Sequence, residues 1–473
     1  MLPHFPSEII ELIVDELAVS GKGPWKGLLR DVKSCCLAAT IFVPHCQKHI
    51  FRSITLHPPR YIIKSSKIRR PYLTRRFSRV INQNPRLALY VQVLNYRASL
   101  YRDSDDPDIP CALHRLRNVV ELNLAIVEDG AYSHMKSYGD PYYLTYSWQQ
   151  AIAFLINRPQ LRILRLKDIT SPADDLFSCT ELVTLELENA KLVWFCDSDS
   201  DEEDEEELPE PECTSPEIEK IYLREMKVGP GTTDALHKLL NPPKAASDRV
   251  FDFSQLIRLS VTMEEATDYE KVKPLLEGAK CLQDLSINVD TWTNNLVPDL
   301  CLKNLEGTSL STLLSLKIDF TLLMNMPQWV LADPYFGLCD EGVLPNLTAL
   351  RELKMRLVLG DYLNVSQSSF SNQWGRLDQI VVSNVESGWF SNFRTLELGI
   401  LIRVKEFDPF LVEDSMDDAQ RILENVSKYV YPRQFAGLRR LEKLGRLQFS
   451  FDAEMEILDC YTSNEARQFP STI

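Results

Sequence analysis

The chain has 473 residues, an ordinary globular apolar fraction of 44%, a formal net charge of −15 and a pI near 5.1. That length leaves room for two or three domains, or for one small module and a long repeat array. No apolar run approaches the roughly 18 residues of a membrane span, no apolar leader follows Met1, and eleven cysteines are scattered without paired spacing. Membrane insertion, secretion and a disulfide framework are therefore set aside, and a reducing compartment, cytoplasmic or nuclear, is expected.

The chain opens on Phe5-Pro6-Ser7-Glu8-Ile9-Ile10-Glu11-Leu12-Ile13-Val14-Asp15-Glu16-Leu17. A proline stands at the helix start, and Ile9, Ile10, Ile13 and Leu17 fall on one helical stripe, so a short helix with a face to bury is expected. Gly21 to Gly27 form a loop. Val32 to Val43 then repeat an amphipathic helical pattern that ends before Pro44, and a third short helix reaches Phe51. Domains below about 60 residues are marginal on their own, so these helices lean on a partner or on the rest of the chain. Ile9, Ile13 and Leu17 are either anchors of a helical interface or the inward face of a plain N-terminal cap.

The next residues, His49-Ile50-Phe51-Arg52-Ser53-Ile54-Thr55-Leu56, match a stretch found in F-box proteins of fungal type. The first 56 residues together resemble that family, with departures. The family's second cysteine falls on Ala39, its arginine on Thr40 and its tryptophan on Phe42, and the loop at 21–27 is longer than usual. The resemblance implies a three-helix F-box that docks on the Skp adaptor, and through it on a cullin. Phe5, Pro6, Ile9, Ile10, Ile13, Leu17, Leu37 and Phe42 would be the adaptor-binding residues.

Residues 57–88 read as a basic connecting segment. Arg60, Lys64, Lys67, Arg69, Arg70, Arg75, Arg76 and Arg79 interleave with Tyr61, Tyr72 and Phe77, a pattern that also suits nucleic acid. Leu73, Phe77, Val80 and Ile81 nevertheless fall at helical spacing, which favours a linker helix with a basic outer face. The acidic pI weighs against nucleic acid as a partner.

From residue 89 to the end the chain repeats apolar-x-x-apolar-x-apolar. The copies are Val119/Leu122/Leu124, Leu161/Leu164/Leu166, Leu182/Leu185/Leu187, Ile218/Ile221/Leu223, Leu256/Leu259/Val261, Leu282/Leu285/Ile287, Leu313/Leu316/Ile318, Leu350/Leu353/Met355, Leu377/Ile380/Val382, Phe393/Leu396/Leu398 and Leu444/Leu447/Phe449, with a weaker one at Val91/Leu94/Tyr96. The third continues through Asn189, Ala190 and Leu192 much as a leucine-rich repeat does. Strands of this kind alternate with helical patterns such as Ser147–Ile156 and Tyr269–Leu276, so the fold class expected is α/β. It consists of the N-terminal three-helix F-box followed by an irregular leucine-rich-repeat solenoid with parallel strands and outer helices. An unrelated α/β domain with Leu-rich strands is the alternative.

Residues 197–216 interrupt the pattern. Asp197 to Glu212 carry eleven carboxylates and no basic residue, leaving a net charge near −4 for the rest of the chain. Such a run is a solvated insertion or a tether for a basic partner. Ser198 and Ser200 each have an acidic residue three positions on, which suits phosphorylation by acidophilic kinases.

Catalysis has little support. His45, Cys46 and His49 lie close to Cys35 and Cys36, but paired Cys-x-x-Cys and His-Glu-x-x-His spacings are absent, as are phosphate-loop, dinucleotide and nucleophile-elbow motifs. No cofactor, metal or catalytic residue is assigned. The resemblance implies a non-catalytic substrate receptor of a cullin-type ubiquitin ligase, the repeat domain holding a target protein of unknown identity. A repeat scaffold unconnected to ubiquitin ligation is the alternative. Exposed mid-strand positions, Glu186, Lys317 and Glu397, are the candidate target contacts.

Overall fold

A computed structural model of the chain describes residues 6–20, 26–57, 73–99, 106–127, 145–193, 219–242, 249–291, 307–322, 343–359, 374–405, 431–458 and 467–469, with a few single positions between them. Phe5, the loop at 21–25, the basic positions from Arg60 to Arg70, Ile218 and the acidic segment with Ser198 and Ser200 lie outside the described residues. The protein is a mixed α/β structure whose strands form large parallel sheets joined by helices. It divides into two compact units, residues 1–221 with 242–250 and residues 222–241 with 251–473.

The first unit begins with three helices, α1 (Ser7–Ser20), α2 (Lys26–Ala38) and α3 (Val43–Arg52). The Pro6 carbonyl accepts the first helical hydrogen bonds, from the amides of Ile9 and Ile10 at 3.1 and 3.3 Å. The second helix stops short of the expected end at Pro44. Ala39 is extended (φ −158, ψ 145), and Pro44 sits in the first turn of α3 instead, where its missing N–H would have been unpaired anyway. The small core of these helices is Val14, Val32 and Cys46, with Ala18, Cys35, Cys36, Phe42 and Ile50 packed against it.

Strand β1 (Ser53–Leu56) follows α3 directly and pairs in parallel with β2 (Val93–Ser99). Helix α4 (Leu73–Gln83) connects them, burying Phe77 and Ile81 with Thr74 and Ser78, while Leu73 and Val80 face outward. Next come β3 (Glu121–Val127), β4 (Ile163–Lys167), β5 (Thr170–Pro172), β6 (Thr184–Glu188) and β7 (Lys191–Val193). In one sheet the order is β1-β2-β3-β4-β6, each pair parallel, so the strands of this sheet stand side by side in chain order, with β5 outside it.

Register shows why the Leu pattern does this. Leu94, Leu122, Leu164 and Leu185 stand opposite one another, and so do Tyr96, Leu124, Leu166 and Leu187. All eight are buried. Burying one such side chain is worth about 1.5–3 kcal/mol, and a one-residue slip would turn the whole row to water.

A second regularity is carried by the backbone. The carbonyls of Gln92, Val120 and Arg162 each accept two consecutive amides at the start of the next strand. Asp168 and Asn189, 21 residues apart, both adopt left-handed φ (53° and 48°), and Asn189 Nδ2 donates to Asp168 Oδ1 at 2.8 Å. Asn and Asp tolerate that region better than other residues with a Cβ. After each of them the chain turns into a short strand, and these two strands, β5 and β7, pair in parallel.

Strands β8 (Glu219–Tyr222) and β10 (Arg249–Asp252) span two of the three points in the sequence at which the chain passes between units. In the second unit β9 (Glu225–Val228), β11 (Arg258–Met263), β12 (Asp284–Thr291), β13 (Ser315–Leu322), β14 (Glu352–Leu359), β15 (Thr395–Lys405) and β16 (Gln448–Leu458) pair in parallel and in chain order. β17 (Arg467–Phe469) adds an antiparallel edge. The inner row Met226, Leu259, Leu285, Leu316, Leu353, Leu396 and Phe449 is in register and buried. The paired-amide contact recurs at the carbonyls of Arg224, Ile257, Gln283, Leu314 and Arg351. Glu265 caps the helix Ala266–Gly278, where Asp268 Oδ2 accepts the Glu264 and Glu265 amides.

Three expected strands are corrected. Ile221 lies on β8, which pairs with β10 in a separate two-stranded sheet, and β9, with Met226 and Val228 buried, takes its place beside β11. Leu377/Ile380/Val382 lies on the helix Trp374–Glu386, with Leu377 and Val381 turned inward one helical turn apart. Leu444 is exposed in the turn before β16; Leu441, on the preceding helix Ala436–Lys443, is buried in its place.

One buried carboxylate in the first unit gives a pH signature. Asp175 lies in the helix Ala173–Phe177; burial pushes its carboxyl up, a hydrogen bond from Asn157 Nδ2 at 2.8 Å opposes this, and neighbouring Asp174 adds to the rise. Its Oδ2 is buried with no hydrogen-bond partner. A folded pKa above the unfolded value means that the native state holds the extra proton. Stability therefore falls as pH rises from the ordinary carboxylate value, about 3.9, through the raised one. Asp175→Asn is expected to raise stability at neutral pH by about 1 kcal/mol and to change nothing at pH 3. Urea midpoints at the two pH values check this, and an equal shift at both would remove the carboxylate as the cause.

Candidate protein-docking surfaces

The first candidate surface belongs to the three helices. Around α1 the apolar residues divide by angle. Ile10 and Val14, one turn apart, face the core. Ser7, Glu11 and Asp15 face α3: Ser7 Oγ meets His45 Nε2 at 3.3 Å, Lys48 Nζ reaches Glu11 Oε1 at 2.7 Å, and His49 Nε2 reaches Asp15 Oδ1 at 2.6 Å. The remaining arc carries Ile9, Leu12, Ile13 and Leu17, and it faces water; Ile9, Leu12 and Ile13 are 42%, 67% and 45% exposed. Leu37, at the end of α2, is 88% exposed, and Ile41 is exposed beyond it.

This grouping is the informative observation, because single exposed apolar residues are ordinary whereas a contiguous set marks an interface. Of the residues expected to form the docking face, Ile9, Ile13, Leu17 and Leu37 are outward. Ile10 is in the core, Phe42 is half-buried against it, and Pro6 is exposed at the helix start. Leu12 lies on the same arc of α1, and Ile41 is a further exposed apolar residue, although the sequence pattern had not singled them out.

Burial in the core of this module pushes Cys46 up to about 12, with Cys35 and Cys36 beside it adding to the effect. Cys179, in the turn after the helix Ala173–Phe177 of the same unit, is also pushed up to about 12 by burial and by Asp175. Neither is the depressed, exposed thiol that nucleophilic chemistry uses. His45 and His49 are turned to Ser7 and Asp15, and no three His, Cys, Asp or Glu side chains among the described residues are grouped to hold a metal.

The second candidate surface is the polar face of the strands. In the first unit Thr55, Asn95, Asn123, Arg165 and Glu186 stand in one register row. Asn95 donates to Thr55, Asn123 to Asn95, and Arg165 donates to Asn123 at 2.8 Å, to Glu186 at 2.6 Å and to Glu121 at 2.5 Å. Glu186, expected as a free target contact, is thus the end of a ladder that ties neighbouring strands together.

In the second unit the equivalent row is Lys227, Ser260, Ser286, Lys317, Lys354, Glu397 and Ser450. Lys317 reaches Asp319 at 2.6 Å, and Lys354 bridges Glu352 at 3.0 Å and Glu397 at 3.2 Å. Lys317 and Glu397 are brought onto one surface, and both border a shallow, solvent-open groove of about 110 Å³. Its floor is Gly399, which stands in register between Arg356 on β14 and Asp452 on β16. The two residues that define the groove, Arg356 and Gly399, were missed. A lone glycine inside a strand signals close backbone approach, but that signal exists only once residues 395–405 are known to be strand.

The chain matches no family model, and no curated protein matches it. Among the described residues no helix is long and apolar enough to cross a membrane.

Proposed function

We propose that the chain is a substrate-recognition subunit of a cullin-type ubiquitin ligase. In this reading residues 1–56 are an F-box that docks on the Skp adaptor, and the strands after them form an irregular leucine-rich-repeat solenoid that holds a target protein. The observation that carries it is the outward apolar arc Ile9, Leu12, Ile13 and Leu17 on α1, on a module whose sequence ends in the F-box-like run His49 to Leu56. A plain N-terminal cap would bury that arc against its own chain. The solenoid half is supported by strands paired in chain order and by the backbone unit that recurs across 21 residues.

The receptor performs no chemistry of its own in this reading. Binding adaptor and target on one chain makes ubiquitin transfer effectively intramolecular, and flexible tethering of this kind raises the local concentration to the millimolar range, on the order of 10⁻³ M. The second reading, a repeat scaffold that never meets a ligase, is favoured by the departures at Ala39, Thr40 and Phe42.

Co-purification of the full chain with the Skp adaptor separates the two. A stoichiometric complex that survives size exclusion is expected. If the adaptor elutes alone at micromolar concentrations of both proteins, the receptor reading is wrong and the scaffold reading replaces it.

A further inference from the structure

The groove over Gly399 carries charges that the fold does not use. Lys317, Lys354 and Glu397 at its edge are engaged with one another or with Asp319 and Glu352. Arg356, Asp452 and Glu454 are exposed and have no ion-pair or hydrogen-bond partner among the described residues. Arg356 and Asp452 have opposite charges, yet they stand two strands apart, about 10 Å by strand spacing, and the residue between them has no side chain. Leu401, buried and two residues along the same strand, closes one end of the groove with apolar surface.

The missing side chain is not forced by the backbone. A Cβ built on Gly399 would lie 3.7 Å from Arg356 Cγ and 3.7 Å from the Asp452 carbonyl, ordinary contact distances, and its φ is not in the left-handed region. Strand interiors disfavour glycine because it packs nothing and loses the most conformational freedom. What glycine supplies here is an opening between a cation and a carboxylate pair.

We propose that this groove is a recognition pocket for an extended segment of a partner polypeptide that presents an acidic and a basic side chain two residues apart, so that both face the groove. The acidic group pairs with Arg356 and the basic group with Asp452 and Glu454, while the backbone of the intervening residue lies over Gly399. Two residues of extended chain advance about 6.6 Å, and the length of the charged side chains covers the remainder of the distance between the two walls. Identifying the partner as the ligase target rests on the receptor reading; the charge complementarity of the groove does not.

The test uses the full chain and arrayed hexapeptides that hold one Glu and one Arg at varied spacing, beside all-acidic and all-basic sets of equal length, read by fluorescence polarisation. The wild-type chain is expected to prefer the mixed-sign set at least tenfold. Gly399→Leu, which fills the opening, should abolish binding with the unfolding midpoint held or raised. Arg356→Glu should transfer the preference to the all-basic set. The proposal is overturned if the wild-type chain binds no set at millimolar peptide, if all sets bind alike, or if Gly399→Leu binds as the wild type does. Adaptor co-purification on the same samples keeps the two ideas apart: adaptor without peptide binding removes the pocket alone, and peptide without adaptor binding removes the receptor reading alone.

Discussion

Replacing Ile9 and Ile13 together by aspartate is expected to abolish adaptor binding, by a thousandfold or more, while leaving the protein folded. Interface energy concentrates in a few desolvated apolar anchors, each worth about 2 kcal/mol or more when removed, and placing a carboxylate in an apolar pocket adds its desolvation cost. Both residues are outward, at 42% and 45% exposed, so the core loses little. Ile9 lies in the first turn of α1, where a carboxylate is favoured by the helix dipole by about 0.3–1 kcal/mol. The informative comparison is Val14→Asp. Val14 is one residue from Ile13 but fully buried against Val32 and Cys46, so that change is expected to unfold the module and lose binding for a different reason. Calorimetry and circular dichroism separate the two variants. If the Ile9/Ile13 double variant binds the adaptor at the wild-type level, the apolar arc is not the docking face and the reading built on it fails.

The division of α1 into inner and outer faces illustrates where sequence reasoning stops. Ile9, Ile10, Ile13, Val14 and Leu17 are all apolar, and spacing assigns them to a broad stripe without saying which edge meets water. Ile10 and Val14 point in, and for Val14 it is the packing of Val32 on α2 and Cys46 on α3 that decides this. The strand array was more readable. Leu182/Leu185/Leu187 and its neighbours fell where the pattern placed them, because alternation with a buried inner row leaves a period of two that few other structures produce. The same template misread Leu377/Ile380/Val382, since a helix with Leu377 and Val381 inward also puts apolar residues three and five apart. The charged mid-strand positions show the same limit. Glu186, Lys317 and Glu397 lie half-buried on the polar side of their strands; Lys317 pairs with Asp319 on its own strand, but the ion pairs of Glu186 and Glu397 depend on register between strands up to 43 positions apart in the chain, as Lys354 and Glu397 are, and register is not written in any one strand. Arg356 and Gly399 became interpretable only after that register was fixed.

Trp148→Ala is expected to be the most destabilising alanine substitution in the first unit, by about 3–5 kcal/mol. Trp148 lies on the helix Tyr146–Ile156, is 1% exposed, and is the largest fully buried side chain of the protein among the described residues. Its ring sits 6.3 Å from that of Tyr96 at an interplanar angle of 50°, and its Nε1 donates to Tyr96 Oη at 3.4 Å. The Tyr96 hydroxyl in turn donates to Asp103 Oδ2 at 3.0 Å, which also accepts the Ser99 amide at 3.0 Å. The indole therefore fills the space between the helix and β2, and it is the first donor of a polar chain that reaches a buried carboxylate. Alanine would leave a cavity on one side and remove that donor on the other, two costs that arise from different physics. Trp148→Phe keeps most of the volume and loses the N–H, so it should cost about 1–2 kcal/mol, and the difference between the two variants isolates the packing term. A fall in the first unit's melting midpoint on the order of 10 °C is expected for the alanine variant. The second unit has its own buried row from Met226 to Phe449, which the substitution does not touch. Its transition is therefore expected to move less, and scanning calorimetry of the full chain should split into two transitions. If both variants shift the curve equally, the polar chain dominates and the packing account is wrong; if the curve stays single and moves as a whole, the two units unfold together.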